Sequence, residues 1–179
     1  SDDGLQHYAM GRDIEIAVID GIRRLGNGLA FPAGPLREPK SRLSEVDFIV
    51  NNGGPTEGDE ILMTLSPAKF IHLNSGKEYS VDKWPMHNQV HAVAGVGNPN
   101  RFFDLLVRMG FEFDKNPFPD HHKYNKRDLY YLDHLPILMT EKDAAKCKHF
   151  KNSKIWYLSI ESKIESQFVD RLEEKLNDR

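Results

Sequence analysis

Val90-His91-Ala92-Val93-Ala94-Gly95-Val96-Gly97-Asn98-Pro99 runs directly into Asn100-Arg101-Phe102-Phe103-Asp104-Leu105-Leu106-Val107-Arg108-Met109-Gly110-Phe111-Glu112-Phe113, and this stretch decides the fold. Apart from His91, residues 90–96 are small or β-branched and apolar, as in a buried strand. Gly97-Asn98-Pro99 is a turn. Over residues 101–109 the apolar positions Phe102, Leu105, Leu106 and Met109 fall on one helical face. Gly110 is placed to stop that helix, and Phe111-Glu112-Phe113 starts another strand. Strand, turn, helix and strand in that order predict a right-handed crossover between parallel strands.

Working outward, the same alternation continues downstream. A Pro/His loop over 118–123 precedes a predicted helix over 126–134 and a strand over 136–139. A helix over 140–150 follows, with Thr140 as its cap. A strand over 155–160 and an amphipathic helix over 166–176 close the chain. Upstream, a buried strand is predicted over 14–19, closed by Asp20-Gly21. A Gly-, Arg- and Asn-rich loop covers 22–34, and a short helix covers 40–45 with Pro39 near its first turn. A strand over 46–50 ends at Asn51-Asn52-Gly53-Gly54-Pro55. Between the two α/β stretches, residues 61–65 and 70–73 read as separate short strands, with Asn74-Ser75-Gly76 as a turn. The predicted class is therefore α/β: a Rossmann-like parallel sheet with helices, plus a short antiparallel strand pair linking two lobes. The expected division is 1–58, a linker at 59–85, and 86–179.

Of the 179 residues, 39% are hydrophobic and 28% charged, the balance of a globular domain with one real core. The net charge of −3 argues against a nucleic-acid binder, which carries a basic surplus. Cys147 is the single cysteine, so no internal disulfide is available and a reducing compartment is expected. Its neighbours suggest a structural thiol. No apolar run approaches the ~20 residues that span a bilayer.

Four clusters carry candidate chemistry. Asp2-Asp3-Gly4-Leu5-Gln6-His7 places two carboxylates where a strand would have just ended, the position from which P-loop enzymes hold Mg²⁺; a solvated terminus is the other reading. Arg23-Arg24-Leu25-Gly26-Asn27-Gly28, followed by Pro32-Ala33-Gly34-Pro35-Leu36-Arg37-Glu38-Pro39, joins close-approach glycines to guanidinium forks suited to phosphate; an ordinary surface loop fits as well. Pro119-Asp120-His121-His122 pairs a carboxylate with a histidine that can move or orient a proton. Two polar loop histidines, or a metal site, are the alternatives. Met139-Thr140-Glu141-Lys142-Asp143 puts a hydroxyl and charges at a helix start, for an anion or for plain capping.

Taken in order, these strings, with Gly-Val-Gly-Asn-Pro at 95–99 and Met-Thr-Glu-Lys-Asp-Ala at 139–144, resemble the tetraacyldisaccharide 4'-kinase family of Gram-negative bacteria. The resemblance runs from Asp2 to about Tyr157. It implies a P-loop-kinase-like fold, with residues 1–58 as the remainder of the nucleotide-binding core. It implies transfer of the γ-phosphate of ATP, with Mg²⁺, to the 4'-hydroxyl of a lipid A disaccharide 1-phosphate. The enzyme would be peripheral on the cytoplasmic face of the inner membrane. Asp2, Asp3 and Gln6 map onto metal binding; Gln6, His7, Arg37, Glu38 and Thr140 map onto nucleotide or other active-site positions. His121, with Asp120 beside it, maps onto a histidine assisting an aspartate base.

One departure is large. The family's Gly-x-x-x-x-Gly-Lys-Ser/Thr string does not occur in the 179 residues, and its catalytic aspartate and membrane-associating segment lie upstream of Asp2. The chain is thus expected to be an incomplete kinase without transfer activity of its own. The rival readings are a non-catalytic Rossmann-like module that binds a glycolipid or a partner chain, and a metal-dependent phosphoesterase built on Asp120-His121-His122.

Overall fold

A computed structural model describes residues 4–178, so Asp2 and Asp3 lie outside the described residues. The chain forms two compact units, residues 1–66 with 162–179, and residues 67–161.

The first unit is built on parallel strands. Strands β1 (Ile16–Asp20) and β2 (Phe48–Asn52) pair in parallel from Ile16 opposite Phe48 to Asp20 opposite Asn52. The first half of β3 (Ile61–His72) pairs in parallel with β2. Ala17 and Ile19 of β1 are buried while Ile16 and Val18 are exposed. The expected buried strand is therefore buried on one face only, its side chains alternating between the two faces of the sheet. The closing helix α3 (Gln167–Asn177) belongs to this unit. It brings Phe168 edge-on to Phe48 at 5.4 Å, sets Leu172 beside the buried Phe48, Val50 and Ile61, and ties Lys175 to Asp47 at 2.8 Å. An apolar stripe on an otherwise polar helix has to find such a surface.

The second unit holds β4 (Glu78–Ser80), β5 (Gln89–Ala94), β6 (Glu112–Pro117), β7 (Ile137–Thr140), most of β8 (Ile155–Ile164), and helices α1 (Pro99–Arg108) and α2 (Glu141–Cys147). Its strands run in the order β3, β8, β7, β5, β6, and the β5–β6, β5–β7 and β7–β8 pairs are all parallel. The crossover read from residues 90–113 is present. α1 buries Phe102, Phe103 and Leu106, and Leu105 and Met109 are packed at the margin. Gly110, at φ +82°, ends it: its own N–H and that of Phe111 turn back to the carbonyls of Val107 and Leu106. A side chain would strain that left-handed turn. Val90, Ala92, Leu138, Trp156 and Leu158 pack with Phe70 and the α1 aromatics on one side of the strands; Val93, Ile137, Met139, Ile155 and Cys147 form the other cluster. Near-continuous burial of β5, from Val90 to Ala94, follows from its central place in a parallel sheet covered on both faces. Burial pushes the Cys147 thiol up to about 12, so it is a packing group and not a nucleophile.

Two expectations need correction. Residues 61–65 and 70–73 are not separate strands: β3 is one strand of 12 residues, and only its second half pairs antiparallel with β4 around the turn at Gly76. Ser66 and Pro67 did not break it, because a proline is tolerated where its missing N–H is not needed for pairing. Residues 126–134 are not helical but a series of turns. Asn125 Oδ1 accepts the Arg127 N–H at 2.8 Å, Asp128 Oδ2 that of Asn125 at 2.9 Å, and Asp133 Oδ1 that of Leu135 at 3.0 Å. Short polar side chains that capture local N–H groups compete with the helix, and Leu129 is buried within these turns.

Candidate functional site

In a parallel sheet, the loops beyond the carboxyl ends of the strands collect the functional side chains. In the second unit these are residues 95–98 after β5, 118–123 after β6, and Thr140 leading into α2. The structure brings all three together. A Cβ on Gly97 would stand 3.4 Å from Asp120 Oδ2, and Lys142 of α2 reaches Asp120 Oδ1 at 3.1 Å.

Asp120 and His121 form an open pair. Asp120 Oδ1 also accepts the His121 backbone N–H at 2.9 Å, and the His121 Nε2 lies 3.8 Å from Oδ2. The His121 side chain is 81% exposed and its backbone sits at φ +58°, so the ring projects outward. The ammonium of Lys142, in the first place, holds the Asp120 carboxyl below its ordinary value. His122 goes elsewhere: its Nε2 meets Asp128 Oδ2 at 2.9 Å and its ring stacks on Phe118 at 4.6 Å. Asp120, His121 and His122 therefore do not converge as metal ligands. Among the described residues no group of three or more His, Cys, Asp or Glu is arranged to hold a metal ion.

Thr140 caps α2 as read: its Oγ1 accepts the Asp143 N–H at 3.1 Å and donates to Asp143 Oδ2 at 2.7 Å. The capping reading missed the rest of Asp143. That carboxylate is fully buried; it also accepts the Gly95 N–H at 2.8 Å and the Lys146 Nζ at 2.8 Å. Gly95 permits this approach, since a Cβ there would stand 2.7 Å from the Tyr124 hydroxyl and 3.2 Å from Asp143 Oδ1. Burial, followed by the charge of Asp143, pushes that hydroxyl up. Only the box-like spacing of Thr140 and Asp143 hinted at the hub; nothing local to Asp143 marks Gly95 as its partner.

In the first unit, Gln6 closes a 3₁₀ turn (Gly4–Gln6) and lines a cavity of about 530 Å³ together with Arg37, Glu38, Lys40 and Arg42. Three of the expected ligand-binding residues, Gln6, Arg37 and Glu38, thus line one cavity. Glu38 is held by the Tyr8 hydroxyl, which donates to Oε2 at 2.7 Å. His7 follows in the next turn, its N–H on the Gly4 carbonyl at 3.1 Å, while Arg12 binds the Gly4 and His7 carbonyls and Glu15.

The Arg23–Gly28 loop departs from its phosphate reading. The Arg24 fork is taken by Glu60, at 2.8 and 2.6 Å, with Glu57 at 3.0 Å. Asn51, fully buried, donates to the same Glu60 at 2.9 Å and to the Pro55 carbonyl. Arg24 foremost, opposed in part by burial, holds the Glu60 carboxyl at about 2 against an ordinary 4.5. A depressed folded value means the stabilisation is complete above about pH 4.5 and is lost as pH falls through 2. Acid unfolding followed by circular dichroism should slope across that window, and Glu60→Gln should flatten the slope. An identical acid profile for the two chains would remove Glu60 from the account.

Parallel strands joined by helical crossovers, with polar side chains gathered beyond their carboxyl ends, define a mostly parallel α/β protein. The crystal structure of LpxK from Aquifex aeolicus in complex with ATP has the same fold, at a TM-score of 0.75 and 22% identity over 98% of this chain and 56% of that one. The family model for LpxK, tetraacyldisaccharide-1-P 4'-kinase, matches residues 1–177, and the chain belongs to that family. The tetraacyldisaccharide 4'-kinase of Legionella pneumophila strain Corby is 51% identical over 168 residues, 94% of this chain and 51% of that protein. That of Ruthia magnifica is 46% identical over 98% of this chain and 55% of its own length. The chain therefore spans about half the length of the curated relatives it matches.

Proposed function

We propose that this chain is part of an ATP-dependent kinase that phosphorylates the 4'-hydroxyl of the lipid A precursor tetraacyldisaccharide 1-phosphate. The match of the family model along residues 1–177 carries this reading. Its support in the structure is the open Asp120–His121 pair at the carboxyl edge of parallel strands. In the proposed division, residues 1–58 are the remainder of the nucleotide-binding core, 59–85 the linker and 86–179 the C-terminal lobe.

Phosphoryl transfer asks the protein for positioning and for neutralisation of charge. Gln6, His7, Arg37 and Glu38 are the proposed nucleotide-binding residues; the Aquifex aeolicus relative is an ATP complex, which supports ATP as the nucleotide. Thr140 stays in that set on the family resemblance alone. Asp2, Asp3 and Gln6 would hold Mg²⁺. Of these the structure describes Gln6, whose amide oxygen, with the Glu38 carboxylate lining the same cavity, is the kind of oxygen donor a hard cation takes. Bound Mg²⁺ supplies neutralisation of the phosphate oxygens. His121 orients or polarises the base that takes the proton of the sugar hydroxyl, and Asp120 stands beside it. The enzyme would work as a peripheral protein on the cytoplasmic face of the inner membrane; no helix among the described residues is long and apolar enough to cross a membrane.

The test is transfer from radiolabelled ATP to the lipid acceptor. A full-length protein carrying this chain should show acceptor-dependent transfer, and the 179 residues alone should show none, since they contain no P-loop string. Absence of transfer by the full-length protein would overturn the kinase reading. Transfer by the 179 residues alone would overturn the assignment of nucleotide chemistry to a P-loop.

A further inference from the structure

Asp120 has two oxygens with different partners, and a residue outside the 118–123 loop divides them. Lys142, in the first turn of α2, reaches Oδ1 at 3.1 Å. The His121 N–H takes the same oxygen at 2.9 Å. Oδ2 is left toward the His121 ring, 3.8 Å from Nε2. The base of Lys142 is itself fixed. The next residue is the fully buried Asp143, bound to Thr140, to the Gly95 N–H and to Lys146. The start of α2 and the loop after β5 are therefore one rigid support, and Lys142 extends from it to the loop after β6.

We propose that Lys142 is a positioning residue for the Asp120–His121 pair. By holding Oδ1 it turns Oδ2 to the imidazole and sets the charge the ring experiences. The consequence for turnover rests on the kinase reading, but the positioning itself does not. Of the other charged groups of the loop and of α2, His122 is engaged with Asp128 and Lys146 with Asp143 and the Gly95 carbonyl, while Lys123 and Glu141 are exposed. The residues 95–98 add no charge. Lys142 is half exposed, so its replacement does not empty a core site.

The experiment is NMR of the His121 ring in the 179-residue chain at one fixed pH, for wild type, Lys142→Met and Lys142→Arg. Without the ammonium on Oδ1 the Asp120 carboxylate is free to turn, and Oδ2 is no longer held toward the ring. The Met variant should therefore shift the His121 ring signals. Arg should restore the wild-type signals. In the full-length enzyme, Lys142→Met should lower kcat by roughly tenfold with KM for ATP unchanged, as expected of a misplaced catalytic group. His121 ring signals identical in wild type and the Met variant would overturn the proposal, as would an Arg variant that behaves like Met. If the ring signals move as expected while wild-type full-length protein transfers no phosphate, Lys142 keeps its role and the kinase reading falls.

Discussion

Asp143→Ala should lower the unfolding free energy by about 3–5 kcal/mol, the range for removing one partner from a buried charged network. The carboxylate is fully buried between three donors: the Gly95 N–H at 2.8 Å, the Thr140 hydroxyl at 2.7 Å and the Lys146 ammonium at 2.8 Å. Deleting it leaves an amide and part of an ammonium without partners in a place water reaches poorly, and a buried donor left unsatisfied costs more than a formed bond contributes. It also removes the tie between the loop after β5 and the start of α2. Asp143→Asn should lose less, because one carbonyl oxygen can still accept the Gly95 N–H, although the new amide then meets a donor. Urea unfolding of the three chains measures the difference. A midpoint for Asp143→Ala within error of wild type would mean that the hub does not hold the second unit together.

His121 should behave in the opposite way: a small effect on stability and a large one on rate. Its side chain is 81% exposed and makes no buried contact, so truncation empties nothing. On the proposed mechanism it is an oriented acid–base partner, and losing such a group lowers kcat by about 10²–10⁴-fold. His121→Ala in the full-length enzyme is the direct test. His121→Asn is its control, because the backbone at φ +58° is one that asparagine adopts more readily than alanine. Both variants should unfold near the wild-type midpoint and both should be slow. Turnover by His121→Ala within threefold of wild type would remove this residue from the mechanism.

Which parts of this protein were legible in its sequence follows from how local the determining forces are. The 90–113 crossover was readable because strand, turn, helix face and stop signal all agree within one continuous stretch, and each is set by neighbours a few positions away. The Thr140 cap was readable for the same reason. The helix over 126–134 was misread because its spacing is helical, while Asn125, Asp128 and Asp133 draw the backbone N–H groups into turns. The break in β3 was misread because a proline in a strand is ambiguous until the pairing partner of each side is known.

The candidate site divides along the same line. The order of the short polar strings was enough to indicate a family, and with it the chemistry to expect of Gln6, Arg37, Glu38 and His121. Alternation of strands and helices was enough for a parallel α/β fold. The tertiary structure alone decided that His122 turns to Asp128, that Arg24 is taken by Glu60, and that Lys142 meets Asp120 across 22 positions. It alone joined Asp143 to Gly95 across 48 positions, and packed the closing helix on Phe48. Periodicity and capping record what a residue does within a few positions of itself. The partner of a charged side chain, and the surface that covers an apolar stripe, are set by the path the backbone takes, and that path exists only once the sheet has formed.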